Sequence, residues 1–408
     1  MTDTVGRTPA AGRRGGPGSS PGNLCTRPAA VASCVGFVLI GMLQALYGPA
    51  VPGLRSEFGL SPAGAGLGLS LHFAGGVAGV LAFNAVHSRI SNRALLAAGY
   101  GLMAAGAAGF ALAPNWQLAL AAAFLCGLGF GGTDYGLNQL FAVGFGDRST
   151  AMLNVLNAHF GIGAVLGPAV VAWAGPDGYA YAFGGCAVLA GALVPLGSRG
   201  VRTAPPERSS AAPAASLGLP RILLGFLVLY ILNVAVEAGV GGWEPTHLET
   251  VGYTATVAAS ATSVYWLMMT VGRFLVVPIT LKHSPERILT VCAAGMTVCL
   301  LLTLVKGVAP VAYAGVGLFI APVFPTGLPW LNRALPQAEH AGAWVIAASM
   351  IGGVGAPPLL GVGIEASGIH AVPWLLTVLS AASLLATVRL IRLTRSIRPV
   401  RPTRRYVE

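Results

Sequence analysis

The chain has 408 residues, 55% of them hydrophobic and only 9% charged, with a mean hydropathy of +0.73. A soluble domain carries about 25% charged residues, so this chain lacks the polar surface a water-soluble fold needs. Its net charge of +11 raises nucleic acid as a partner, and placement excludes it. Of the 24 Lys and Arg, all but Arg55, Arg273 and Lys306 fall in the N-terminal tail, in every second connection between apolar runs, or in the C-terminal tail, which is the positive-inside pattern of a membrane protein.

Residues 1–28, rich in Gly, Pro, Ser and Arg, predict a disordered cytoplasmic tail. They are too long and too rich in Gly and Pro for the start of a cleaved signal segment. Apolar runs of about 20 residues then recur, the mark of membrane-crossing helices. The short alternating segments of a membrane β-barrel are not visible. Twelve spans are expected over 29–52, 61–85, 94–113, 116–145, 149–173, 178–197, 221–248, 254–281, 287–305, 309–332, 340–363 and 369–389. The fold class is therefore an all-α polytopic membrane protein. A polar linker, 198–220, divides it into six-helix bundles over 29–197 and 221–389. Residues 390–408 form a basic tail suited to anionic headgroups or to a plain cytoplasmic stop.

The charges test this count. Twelve spans place almost every Arg on one side, and the other side receives only Arg55 and Lys306 with the acids Glu57, Asp177, Glu244, Glu249 and Glu365. Both termini are then cytoplasmic, in a multi-pass protein of the plasma or inner membrane. A repeat supports two halves: "HSRISNRALL" (87–96) follows the second span and "HSPERILT" (283–290) follows the eighth, as in parallel-repeat carriers.

Several motifs are decoys. "GLGFGG" (127–132) satisfies G-x-G-x-x-G, but a dinucleotide site needs a strand before it. Inside an apolar run its small residues suit close helix packing. The two lysines, Lys282 and Lys306, end no phosphate-binding loop. Six scattered cysteines, without any C-x-x-C, read as small buried hydrophobes rather than disulfides or metal ligands. No cofactor, no metal and no enzymatic centre is expected. A channel or a secondary carrier remains, and twelve spans in two related halves favour a carrier.

Three charged residues lie well inside predicted spans: Asp134, Glu237 and Arg273. Each is costly there and is a functional candidate by default, against the alternative of a buried helix anchor. Asp134 is the only charged residue between Arg93 and Asp147. It stands about 17 Å above the cytoplasmic end of span 4 at about 1.5 Å rise per residue. Asn138, four residues on, shares its face at about 10 Å. Span 5 runs back with Asn154, Asn157 and His159 at about 7, 12 and 15 Å. Acid and histidine are thus expected at one depth, as a proton site and a possible relay, with amides just below for a hydroxyl-rich ligand. Glu237 lies about 13 Å higher in span 7 than Arg273 in span 8. A direct pair is therefore not expected, and Arg273 is assigned to carbonyls or a loop at the cytoplasmic gate. Tyr265 and Trp266 are candidates to stack on a ligand, or belt residues like Trp243, Trp330 and Trp344. Pro322 and Pro325, with Pro329, predict a kink in span 10 that fits a moving gate.

"GFGGTDYGLNQLF" (129–141), "LNVLNAHFGIGAVLGP" (153–168), "VEAGVGGWEPTHL" with "YWLMMTVGRF", and "APVFPTGLPWLN" (321–332) together resemble spans 4, 5, 7, 8 and 10 of the major facilitator superfamily. Within it they resemble the fucose permease-like sugar:proton symporters. The resemblance implies a proton and substrate site at Asp134, with substrate amides at Asn138 and Asn157. Where that group carries an Asp in span 1, this chain has Gly48. "GIGAVLGP" also resembles the antiporter motif of drug exporters, through Gly163, Gly167 and Pro168. The expectation is a monomeric proton-coupled carrier working by alternating access, with a small-molecule substrate, protons and the lipid bilayer as partners. It takes up a sugar or similar polar solute; the alternative is a proton antiporter exporting a drug or natural product.

Overall fold

A computed structural model describes residues 26–87, 89–145, 149–175, 178–197, 220–335 and 341–396. The tail before residue 26 with Cys25, the linker 198–219, Arg148, Asp177, the side chain of Trp344 and the tail after 396 lie outside it.

The described residues form helices and no strands. In chain order these are α1 (Arg27–Phe58), α2 (Pro62–Val86), α3 (Asn92–Ala111), α4 (Trp116–Val143), α5 (Ser149–Ala174), α6 (Tyr179–Gly197) and α7 (Pro220–Thr250). Then come α8 (Ala255–Thr280), α9 (Pro285–Leu302), α10 (Ala309–Ile320), α11 (Val323–Ala334), α12 (Ala341–Ser367) and α13 (Val372–Ser396). Eleven segments among the described residues are long and apolar enough to cross a membrane, with α10 and α11 counted as one. The 27-residue α12, whose only charged residue is Glu365, makes the twelfth crossing. The start of α1 and the end of α13 therefore share one face, here the termini face; the opposite one is the far face.

Local chemistry sets the helix starts. Thr26, Ser61, Ser91, Asn115, Thr254 and Ser284 each accept a backbone N–H from the first turn of the helix that follows, satisfying one of the donors a helix start leaves open. Ser91 and Ser284 fall inside the two repeated segments, so the repeat marks the same event twice, a cap that begins the third helix of each half. At the far end of α1, Gly59 adopts φ 63° and donates to the Arg55 carbonyl, a left-handed stop that a Cβ would disfavour.

Four boundaries differ from expectation. Helix α1 continues past residue 52, so Arg55 and Glu57 are helical, and Tyr179 hydrogen-bonds Glu57. Helix α7 reaches Thr250, two residues past the expected end, so Glu249 is helical as well. Helix α13 runs past residue 389 to Ser396, taking in Arg392 and Arg395. Span 10 is broken, with α10 ending at Ile320 and α11 starting after Pro322. That break lies where the prolines predicted a kink.

Packing repeats between the halves. In the first, α1 packs on α5 and α6, α4 on α2 and α3, and α3 on α6. In the second, α7 packs on α12 and α13, α10 on α8 and α9, and α9 on α13. The halves meet through α1 on α7, α2 on α12 and α5 on α8.

Glycine allows these approaches. A Cβ at Gly127 would strike the His72 carbonyl, one at Gly131 the Gly76 carbonyl, and one at Gly129 the Gly99 carbonyl. The "GLGFGG" segment is thus where α4 beds between α2 and α3. Gly163 meets the Val38 carbonyl and Gly167 the Met42 backbone, so the antiporter-like motif is the seam of α5 on α1. Large apolar side chains such as Leu81, Val188, Leu224, Val311 and Leu359 stand exposed around the perimeter, where lipid covers them. Cys126, Cys186 and Cys292 are buried, and every described cysteine is free.

Candidate transport site

Helix α4 is held on two sides by glycine seams, and this fixes where its one carboxylate points. Asp134 is half-buried. Asn138, one turn on, donates from Nδ2 to Asp134 Oδ1 at 3.1 Å and to the Asp134 carbonyl at 3.0 Å. Its own side-chain oxygen accepts from Asn157 Nδ2 of α5 at 3.1 Å. Asn157 also donates to the Leu153 carbonyl at 2.9 Å. Acid and two amides form one chain of hydrogen bonds across the α4–α5 seam. Among the described residues no cation pairs with Asp134, and none donates to its Oδ2 or to Asn157 Oδ1.

The other first-half candidates are not in this chain. His159 Nδ1–H donates to the Val155 carbonyl of its own helix at 2.7 Å and makes no bond to Asp134. The expected relay is therefore not formed. Asn154 is exposed and bonded to no described residue.

Across the seam, Trp266 of α8 packs edge-on against Phe160 of α5, with ring centroids 6.4 Å apart, and against Tyr265 at 5.2 Å. Both α8 aromatics are buried, and neither the Tyr265 hydroxyl nor the Trp266 indole N–H has a partner. Next to them lies Glu237 of α7, half-buried, with Asn233 one turn below it fully enclosed. Arg273 lies within electrostatic range of both Glu237 and Tyr265. Its described contact is the Met269 sulfur at 3.6 Å. Among the described residues Arg273 makes no ion pair with Glu237, as the depth offset predicts, and no bond to a carbonyl or loop is seen there. Pro322 is buried at the α10–α11 break, Pro325 is exposed, and Tyr230 OH bonds the intervening Phe324 carbonyl at 3.2 Å.

The structure explains Gly48. A side chain there would run into the Gly241 carbonyl of α7, so α1 meets the second half backbone to backbone and has no room for an acid. Further toward the far face the halves are tied in three places. Ser70 Oγ donates to the Val354 carbonyl at 2.6 Å, Trp243 Nε1 to the Pro357 carbonyl at 3.1 Å, and the Ala63 N–H to Glu365 Oε1 at 2.9 Å. On the termini side, among the described residues, α4 packs chiefly on helices of its own half, and α11 chiefly on α7, α9 and α12.

Sequence reasoning missed two buried His–Tyr pairs. Tyr47 OH and His72 Nδ1 are 3.3 Å apart in the first half, and Tyr313 OH and His247 Nδ1 are 3.0 Å apart in the second. It also missed Glu244, which is fully enclosed. A histidine and an acid three residues apart near the end of an apolar run was the available signal.

Two repeated bundles thus meet around a polar seam. The sequence profile of the Major Facilitator Superfamily matches residues 33–229 and 226–405. No curated protein matches the chain. Solved structures match its fold. One is a D-xylose-proton symporter, 16% identical, covering 89% of this chain and 96% of the other, with a TM-score of 0.69. Another is the nucleoside transporter NupG, 14% identical over 89% and 98%, with a TM-score of 0.75. A third is the inward open xylose transporter XylE from E. coli, 14% identical over 89% and 95%, with a TM-score of 0.73. The chain belongs to the major facilitator superfamily, and it is a secondary transporter of a small molecule.

Proposed function

We propose that this transporter couples uptake of a sugar or similar polar solute to protons, with Asp134 as the coupling carboxyl. The observation that carries the reading is the Asp134–Asn138–Asn157 chain. It holds an acid without a cation inside a span and leaves one carboxyl oxygen and one amide oxygen free. A carboxyl so placed is neutral or charged at little difference in cost, which suits a group that gains and loses a proton. The free amide oxygen accepts a ligand hydroxyl. Trp266 and Tyr265 face the same seam from the second half and supply aromatic surface, with Glu237 beside them as a further proton site.

In this reading the termini are cytoplasmic in the cell membrane, as the arginine distribution requires, and the far face is outside. The three ties above Gly48 close the outer route. A proton and the solute bind at the seam from outside, the halves rock, and both leave toward the termini face. The α10–α11 break at Pro322 and Pro325, with Arg273, forms the inner gate. The export reading rested on the motif around Gly163, Gly167 and Pro168, which helix packing accounts for.

The test is transport by purified protein in liposomes under an imposed pH gradient, for a panel of sugars and hydrophobic cations. A sugar is expected to accumulate with protons in wild type and only to equilibrate in Asp134→Asn. Undiminished coupling in that variant makes Asp134 a helix anchor. Gradient-driven expulsion of a hydrophobic cation establishes export instead.

A further inference from the structure

Glu244 lies near the far end of α7, six residues before its last, and is 0% exposed. Neither carboxyl oxygen has a hydrogen-bond partner among the described residues. The Thr262 hydroxyl of α8 lies close to Glu244 and donates to the Ala258 carbonyl at 3.3 Å. An ionised carboxyl so enclosed, with neither donor nor cation, costs several kcal/mol, whereas a carboxylic acid does not.

The groups around it can all pass a proton. One turn on along α7 is His247, 3% exposed, bonded to Tyr313 of α10. Tyr313 and Tyr265 of α8 are both within electrostatic range of Glu244. His247 in turn interacts with His370, an exposed residue of the short turn Ile369–Ala371 at the far face. Arg273 lies in range of Glu237 and Tyr265, and no described residue bonds either oxygen of Glu244. Glu237 is seven residues away on the same helix, about 10 Å at 1.5 Å per residue. Tyr265 lies in range of both acids, but its hydroxyl has no partner among the described residues, so no hydrogen bond through it links Glu244 to the central seam.

We propose that Glu244 is a second proton-carrying carboxyl, separate from Asp134, which exchanges its proton with solution at the far face through Tyr313, His247 and His370. The step is proton transfer alone. The acid O–H breaks, an N–H forms on the histidine, and the other ring nitrogen releases its proton outward. This inference rests on the proton-coupled reading and adds a second site to it. The interruption at Tyr265 keeps that site from leaking protons into the seam.

Infrared difference spectroscopy of the full-length protein in lipid nanodiscs tests it, on stepping the buffer from water to heavy water. In a background carrying Asp134→Asn and Glu237→Gln a protonated-carboxyl band is expected, and it is expected to vanish when Glu244→Gln is added. Its exchange with heavy water is expected to slow several-fold when His370→Gln is added instead. His370 is exposed, so this variant carries little risk to folding and keeps the test decisive should Glu244→Gln misfold. Unchanged exchange with His370→Gln added overturns the path, and a band that survives in folded protein with Glu244→Gln added overturns the site. No substrate is needed, so the two readings fail separately. If the protein is not proton-coupled, gradient-driven uptake is absent while the band remains. If only the Glu244 site is wrong, the band is missing while coupled uptake and its loss in Asp134→Asn persist.

Discussion

The two halves carry their polar groups differently. In the first half the acid is built into a bonded chain: Asp134 receives Asn138, and Asn138 receives Asn157. In the second half the groups beside the seam are left wanting: among the described residues Tyr265 OH, Trp266 Nε1, Asn233 Oδ1 and both oxygens of Glu244 have no partner, whereas the unpartnered buried groups of the first half, His72 Nε2, Tyr100 OH, Trp116 Nε1 and Thr133 Oγ1, are not members of the Asp134 chain. A satisfied network is preorganised and holds its geometry while its occupant changes. Unsatisfied buried groups cost about 1–3 kcal/mol each, and a fold retains them where a ligand, a proton or a second conformation satisfies them. The first half is thus the fixed jaw of the site, and the second half the one that changes its bonding during the cycle.

The sharpest challenge to this contrast is to put a carboxyl where the fixed jaw meets the second half. Gly48→Asp restores the acid seen in the symporters the sequence resembles, but its Cβ enters the Gly241 carbonyl. Overpacking costs about 1–3 kcal/mol, and an intramembrane acid adds about 2.5–3.5 kcal/mol. The variant is expected to lose the monodisperse, cooperatively melting species on size exclusion and thermal scanning. A stable Gly48→Asp protein would show that α1 and α7 separate easily at this point.

Next in size is Glu237→Gln compared with Asp134→Asn. The fixed-jaw variant is expected to abolish accumulation. The Glu237 variant removes one of two charges facing Tyr265 and is expected to slow turnover while accumulation persists, read as proton-to-solute ratio in the same liposomes. Equal loss of accumulation in both would erase the division of labour. Smaller still is the Asn138–Asn157 bond. A double-mutant cycle with alanine at both positions should return a coupling energy of about 0.6–2 kcal/mol, the range for bonds between membrane helices. Zero coupling would mean that the chain is not a unit.

The contrast also explains what the sequence made legible. Apolar runs and arginine placement sufficed for twelve crossings, because lipid allows few other solutions. Asp134, Asn138 and Asn157 were readable because i,i+4 spacing and rise per residue fix both face and depth. His159 matched Asp134 in depth but not in direction: two residues beyond Asn157 is about 200° around the helix axis, so when one faces α4 the other faces away. Glu244 was counted with the far-face acids although it falls inside span 7, because the cover given by α8 and α10 is a tertiary fact. The unmet groups of the second half share that cause, since a missing partner is visible only once every neighbour is in place.

The smallest expected effect lies at the far face, where the halves are tied through a single charged side chain. Glu365 of α12 accepts from the Ala63 N–H, in the first turn of α2, beside the Ser61 cap. Glu365→Gln keeps an acceptor oxygen and removes only the charge, which favours a helix start. Glu365→Ala removes the bond as well. If this tie helps to hold the outer route shut, both variants should shift the protein toward an open far face, Ala more than Gln. The shift can be read as a longer distance between labels at Pro114 and Gly307, both exposed at that face, in a background without native cysteines. High salt should narrow the gap between wild type and Gln, because it screens an exposed charge, and should leave the gap between Gln and Ala in place. Identical distances in all three proteins would assign closure to the glycine contacts alone, Gly66 on the Pro357 carbonyl and Gly361 on Ala63. The moving half would then be latched by shape, with no contribution from charge.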